Sequence, residues 1–407
     1  MLKKFTLAVM AALFLLMTAF TARAEELRDL REGVTGEQPA ETKWGIVPRF
    51  KFNPDTGAGT GVKLKGQNVF NTRLILDLAN IYTLTSFQTY ELLLMEPRLM
   101  ARQSSWLYIM AFAEYESTPD FRFFGIGNET DNRSSDDREG NFSGAGDESS
   151  YFYKNLQAHL TLGWRPGGNL YLAVEPFYRR VWLGDTRNED MPNGKSKYAG
   201  LPGNNGGVTP GVGLSIIQAT RNNQWRPTDG YRLEFHFEDV GGWSGADFDF
   251  SRYMLDYRYY KLLFGTYNVL ALHLRGETLA GHDSLIPWWD LPSIGGRDNM
   301  RGFWENRFRG KSSALANIEY RYHILHFKNN IRKIHLDLDC DGNVFYDMGQ
   351  VFVNEKEFNE SLSMKLHNTY GLGFRILMPP NLMGRLDIGK AGEEAKYAFY
   401  FNFGTVF

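Results

Sequence analysis

The chain has one cysteine, Cys340, in 407 residues. An intrachain disulfide is therefore impossible, even if the chain is exported to an oxidising compartment. Beyond residue 20 there is no unbroken apolar run near the roughly 20 residues that a membrane-spanning helix needs. Positive charge is not in excess: residues 25–407 hold 42 basic and 47 acidic side chains, a formal charge of −5. That balance excludes the electrostatic footprint of a nucleic-acid binder. No internal repeat is visible, and no motif calls for a cofactor.

Aromatic residues and glycine are abundant: aromatics make up 15% of the chain and Gly numbers 42, while mean hydropathy stays negative. A transmembrane β-barrel has this profile, because each strand shows lipid only every second residue. A secreted soluble β-protein shares much of it, so composition does not separate the two. Residues 1–24 read as a secretory signal peptide. Lys3 and Lys4 precede an apolar run from Phe5 to Phe20, and Ala22-Arg23-Ala24 forms the cleavage site. Residues 25–42 read as a short polar periplasmic leader, too short for a folded domain, and residues 43–407 as one outer-membrane barrel domain.

Sixteen β-type segments separated by turn signals are expected at 44–52, 57–67, 73–83, 87–99, 104–116, 151–164, 170–183, 209–221, 230–240, 246–261, 267–278, 313–324, 342–353, 366–377, 382–390 and 397–407. Most reach the roughly 9–11 residues of a tilted crossing. In the first, Trp44, Ile46, Pro48, Phe50 and Phe52 alternate with Arg49, Lys51 and Asn53. In the tenth, Tyr253, Leu255, Tyr257 and Tyr259 alternate with Arg252, Asp256 and Arg258. Lipid cannot satisfy bare backbone groups, so such strands must close on themselves. Connections after odd-numbered segments include the long ones, 117–150, 184–208, 279–312 and 354–365. Those after even-numbered segments are mostly short, which is the pattern of outer loops and periplasmic turns. The exception, 325–341, reads as a long basic-then-acidic periplasmic stretch. The architecture these observations predict is all-β, a 16-stranded antiparallel transmembrane barrel.

The connection between strands 11 and 12 contains Gly295-Gly296-Arg297-Asp298-Asn299-Met300-Arg301-Gly302-Phe303. By the apolar-out rule, Glu319 and Asp347 point into the lumen from adjacent strands. If the loop folds inward, Arg301 can meet both through bidentate, charge-assisted hydrogen bonds. The glycines would supply the tight return. Spacing alone is equally compatible with an extended surface loop carrying three unrelated charges.

Met300–Phe303 (MRGF) resembles the V-R-G-F/Y loop motif of the BamA/TamA and FhaC type of outer-membrane assembly and two-partner-secretion proteins, the bacterial surface antigen family. Ile318–Arg321 (IEYR) and Phe345–Gly349 (FYDMG) resemble the motifs of its strands 12 and 13. Arg221 with Pro227-Thr228-Asp229-Gly230 is similar to its earlier turn motif, and the aromatic C-terminal strand to its assembly signal. The resemblance covers residues 43–407. It implies a barrel whose Arg301, Gly302 and Phe303 are locked to Glu319 and Asp347. The chain departs from the pattern at the front, where 18 leader residues leave no room for the periplasmic POTRA domains that receive clients, and at Met300, where Val is common.

Other constellations are weaker. Asp337, Asp339, Asp341 and Gly342 match the start of a calcium loop, but the position for the bidentate Glu holds Met348, so an acidic turn is expected and no metal site. The acids between Asp131 and Glu148 read as a solvated loop. His282-Asp283-Ser284 are three neighbours, not members of a converging triad, and no catalytic residue or enzymatic activity is expected. Phe123–Asn128 reads as a glycine-kinked rim or an inward-folded outer loop. Pro48 cannot donate to a ladder, so the closing seam, marked by Pro48, Phe403 and Phe407, is a place for lateral opening or simply tolerates a proline at a non-bonding position. The expected function is insertion or translocation of proteins at the outer membrane. The alternative is a plugged or gated channel, or a lipid-handling barrel. Expected partners are outer-membrane lipid, unfolded outer-membrane proteins with periplasmic chaperones, and an assembly machinery that recognises the C-terminal strand.

Overall fold

The computed structural model describes residues 42–53, 56–102, 105–128, 149–185, 198, 200–223, 226–331, 334–354, 366–378, 382–392 and 397–403. The signal-peptide and leader segments, the acids between Asp131 and Glu148, and Phe407 lie outside them. Sixteen antiparallel strands form the wall: β1 (Lys43–Asn53), β2 (Gly57–Val69), β3 (Leu74–Thr83), β4 (Gln88–Arg102), β5 (Ser105–Phe123), β6 (Ser149–Gly167), β7 (Leu170–Asp185), β8 (Gly211–Ala219), β9 (Asp229–Val240), β10 (Phe250–Leu262), β11 (Asn268–Ala280), β12 (Ser312–Ile331), β13 (Ile334–Phe352), β14 (His367–Met378), β15 (Leu382–Ala391) and β16 (Tyr397–Phe403). Each pairs with its sequence neighbour, and β1 meets β16 to close the barrel.

The period-two pattern decides which way side chains face. On β10, Tyr253 and Leu255 are exposed on the outer face, while Asp256 and Arg258 are buried in the lumen. On β1, Ile46 is exposed and Arg49 buried, and on β3 Leu78 is exposed and Asp77 buried. The lumen thus carries charge in pairs, such as Lys63 with Asp77 at 2.9 Å and Arg49 with Glu91 at 3.0 Å. Among the described residues no helix is long and apolar enough to cross a membrane; the strands do the crossing.

The structure corrects the reading of 325–341. Instead of a long connection with an acidic turn at 337–342, β12 and β13 continue as a hairpin to Ile331 and Ile334. The last partner of β11 on β12 is Tyr322, and the first β13 residue paired with β14 is Asp339, so the hairpin tip overhangs both neighbours. The switch from basic to acidic sequence is the two arms facing each other: His326 registers with Asp339 and lies 3.1 Å from its carboxylate. Opposite charges across an antiparallel pair are mutually stabilising. Asp339 and Asp341 are therefore strand residues, and among the described residues no cluster of possible metal ligands is found.

Leu255→Arg, placing a cation on the lipid face near mid-strand, should cost about 2–4 kcal/mol. Equilibrium refolding into lipid vesicles would check this; an unchanged midpoint would contradict the assigned facing.

Candidate functional site

The loop between β11 and β12 returns into the barrel as a small hairpin whose arms pair at Ser293–Ile294 and Phe308–Arg309. Its turn depends on Gly295 and Gly296, at φ +116° and +102°, a region that residues with a Cβ rarely adopt. The Asn299 side chain accepts from the amides of Gly295 (2.8 Å) and Met300 (2.6 Å). Met300, Phe303 and Phe308 are buried with Ile294, Leu315, Val351 and Ala391. This apolar seat accepts the thioether of Met300, and a Cβ on Gly349 would come within 3.1 Å of its Sδ.

Arg301 is completely buried. It donates from Nε and Nη2 to the two carboxylate oxygens of Asp347, at 2.9 and 2.7 Å, and from Nη1 to Glu319 at 2.6 Å. Its amide also donates to Asp347 (3.1 Å), and its guanidinium lies 3.5 Å from the centre of the Phe345 ring. Burial opposes its charge, but Asp347 and Glu319 more than offset this and raise its pKa above the ordinary arginine value. Glu319 in turn accepts from Arg321 at 2.8 Å and from Arg375.

The wall is cut back where the loop tip lands. A Cβ on Gly389 of β15 would sit 2.8 Å from the Arg301 carbonyl, and one on Gly302 would sit 2.9 Å from the Ala391 amide. The tip also holds the last strand: the Gly302 amide donates to the Tyr400 hydroxyl (3.1 Å), which donates to the Phe303 carbonyl (2.8 Å). Nothing in the sequence pattern pointed to Tyr400, which reads as one more aromatic in an alternating strand.

Phe123–Asn128 runs inward across the barrel. Gly127 donates to the Arg309 carbonyl at 2.7 Å, and the Asn128 side chain accepts from the Val351 amide at 3.1 Å. In the turn between β8 and β9, Arg226 makes a bidentate contact with Asp341 (2.8 and 2.6 Å) and lies 3.9 Å from the Tyr267 ring centre. The sequence motif points instead to Arg221 in that turn. His282 contacts Ser284 at 2.7 Å and Asp283 pairs with Lys311 at 2.7 Å, so these three serve the loop's own conformation.

At the seam, β1 and β16 register at one pair among the described residues, Phe52 with Phe401, whereas β1 registers with β2 along all of Lys43–Asn53. Pro48 lies mid-strand opposite Val62. Phe403 registers with Gly384 of β15.

A family model described as the Omp85 superfamily domain matches residues 77–407. The chain belongs to the Omp85 superfamily. It is 27% identical over 213 residues to the outer membrane protein assembly factor BamA of Nitratidesulfovibrio vulgaris, a match covering 48% of this chain and 25% of that protein. The chain thus spans about a quarter of that curated relative's length. Among solved structures, the Omp85 barrel is similar to BamA from Haemophilus ducreyi lacking POTRA domains 1–3 (TM-score 0.62, 13% identity, 89% of this chain and 70% of that one). It is also similar to CdiB from Acinetobacter baumannii (0.54, 14%, 89% and 59%) and from Escherichia coli (0.57, 10%, 91% and 63%). At these identities the likeness is one of fold. Membership in the superfamily puts the barrel in the bacterial outer membrane.

Arg301→Ala leaves the buried Asp347 carboxylate without its main partner and takes one of three arginines from Glu319. We expect a loss of about 3–5 kcal/mol where the site stays dry, less where water enters. Arg301→Lys should restore little, since an ammonium cannot bridge both acids with the same planar fork. The temperature at which the folded barrel loses its compact migration on a gel measures both; unchanged values would remove the structural role of the cluster.

Proposed function

We propose that this Omp85 barrel inserts or translocates proteins at the outer membrane, acting without catalysis by offering the β1–β16 seam to client strands. The observation that carries this reading is the seam itself. Among the described residues one registered pair, Phe52 with Phe401, closes it. A barrel that must leave no edge in lipid thus has one junction where an incoming strand could exchange for the native partner at small cost, completing the ladder as strand addition does. Clients on this reading are unfolded outer-membrane proteins, delivered by periplasmic partners and working within an assembly machinery. The Arg301, Gly302, Phe303, Glu319 and Asp347 cluster keeps the lumen braced while the seam is in use. Pro48 and Phe403 mark the two banks of that seam.

The registered pair supplies the test. Opposed residues in an antiparallel pair lie about 4.5–5.5 Å apart at Cα, within reach of a disulfide. A Phe52→Cys/Phe401→Cys chain in a Cys340→Ser background should stop client assembly when oxidised and recover with reductant. Full assembly activity with the bridge closed would refute a role for seam opening.

A further inference from the structure

The inward loop is held a second time, nearer the outer mouth, with the charges reversed. Asp290, in the one-turn 3-10 helix Trp288–Asp290, is 6% exposed. Its carboxylate accepts from Arg179 of β7 and from Arg252 of β10, the latter at 2.8 Å, and Arg252 also donates to the Asp290 carbonyl at 2.9 Å. Arg252 is aimed by Glu238 of β9 at 3.0 Å and by Glu277 of β11. At Arg301 the loop supplies the cation and the wall the acids; at Asp290 the loop supplies the acid and the wall the cations.

The two anchors lie at different depths. Arg252 registers with Leu279 near the outer end of β11, beside Ser312 at the outer end of β12. Glu319 is about 23 Å further along β12 at ~3.3 Å per residue. They also hold different things. Trp288, adjoining Asp290, packs its ring 4.6 Å from Phe123, 5.1 Å from Tyr151 and 5.4 Å from Tyr198. The Trp288 amide donates to the Pro202 carbonyl and the Trp289 indole to the Gly203 carbonyl, both at 3.1 Å. The outer ends of β5 and β6 and the connection between β7 and β8 thus gather around the stretch that Asp290 seats.

We infer that Asp290 is a positioning residue that holds the outer mouth shut, separately from the deeper Arg301 anchor that seats the loop tip. Losing it frees the cap over the lumen while the tip stays bound, so the outer mouth and the interior lock open independently.

The test uses the full-length protein in intact cells. Ala173→Cys, buried on β7 in the lumen, is introduced with Cys340→Ser, and a polyethylene-glycol maleimide too large to cross the outer membrane is added outside. Asp290→Asn should speed labelling by about tenfold or more, the population shift expected from losing a charge-assisted pair. Asp290→Glu should stay near the parent rate, and the heat resistance of the folded barrel should fall less with Asp290→Asn than with Arg301→Ala. Unchanged labelling in a folded Asp290→Asn barrel overturns the inference. So does a fall in heat resistance as large as that of Arg301→Ala, which would make the two anchors one lock. If Asp290→Asn does not fold, Arg179→Gln removes one of the two cations. It must then raise labelling, and an unchanged rate overturns the inference equally.

Discussion

A backbone amide or carbonyl left unpaired in hydrocarbon costs several kcal/mol, and the arrangement of this molecule depends on avoiding that cost. The sheet must close, so every strand has two neighbours and no free edge in lipid. Closure makes an inside and an outside, and the pleat sends successive side chains to each. The outside must be apolar, so the charges of a chain with 45 basic and 47 acidic residues collect inside and at the ends. Within the lumen they are held in pairs and clusters. An inward loop is then stable only if it brings partners of the right sign, and this one brings Arg301 to Asp347 and Glu319.

Much of this could be read in one dimension because the governing period is two. The facing of Glu319 and Asp347 follows from counting along β12 and β13, and their adjacency from a single hairpin. Gly302, Gly349 and Gly389 show why the loop tip can approach so closely: each leaves room that a Cβ would take from backbone or from Met300. The Met at position 300 needs no special account once its apolar seat is seen.

What escaped the sequence depends on paths rather than periods. Tyr400 meets Gly302 across 98 positions, and Arg226 meets Asp341 across 115. Asp290 meets Arg179 across 111. None belongs to a local pattern, and each contact requires knowing where a loop travels inside a closed wall. The overhanging β12–β13 hairpin was missed for a different reason. A run of bases followed by a run of acids resembles a solvated connection, yet folding it back on itself sets His326 opposite Asp339. The same charges that suggested a turn are the cross-strand partners of a ladder.

The two banks of the seam are not equivalent in what they carry with them. On one side Arg49 of β1 is tied to Glu91 of β4, three strands along the wall. On the other, Tyr400 of β16 is tied to the loop tip, and through Arg301 to β12 and β13. A strand fixed in this way does not peel off alone. On the proposed reading, parting the seam would therefore move two cross-braced blocks rather than free a single terminal strand.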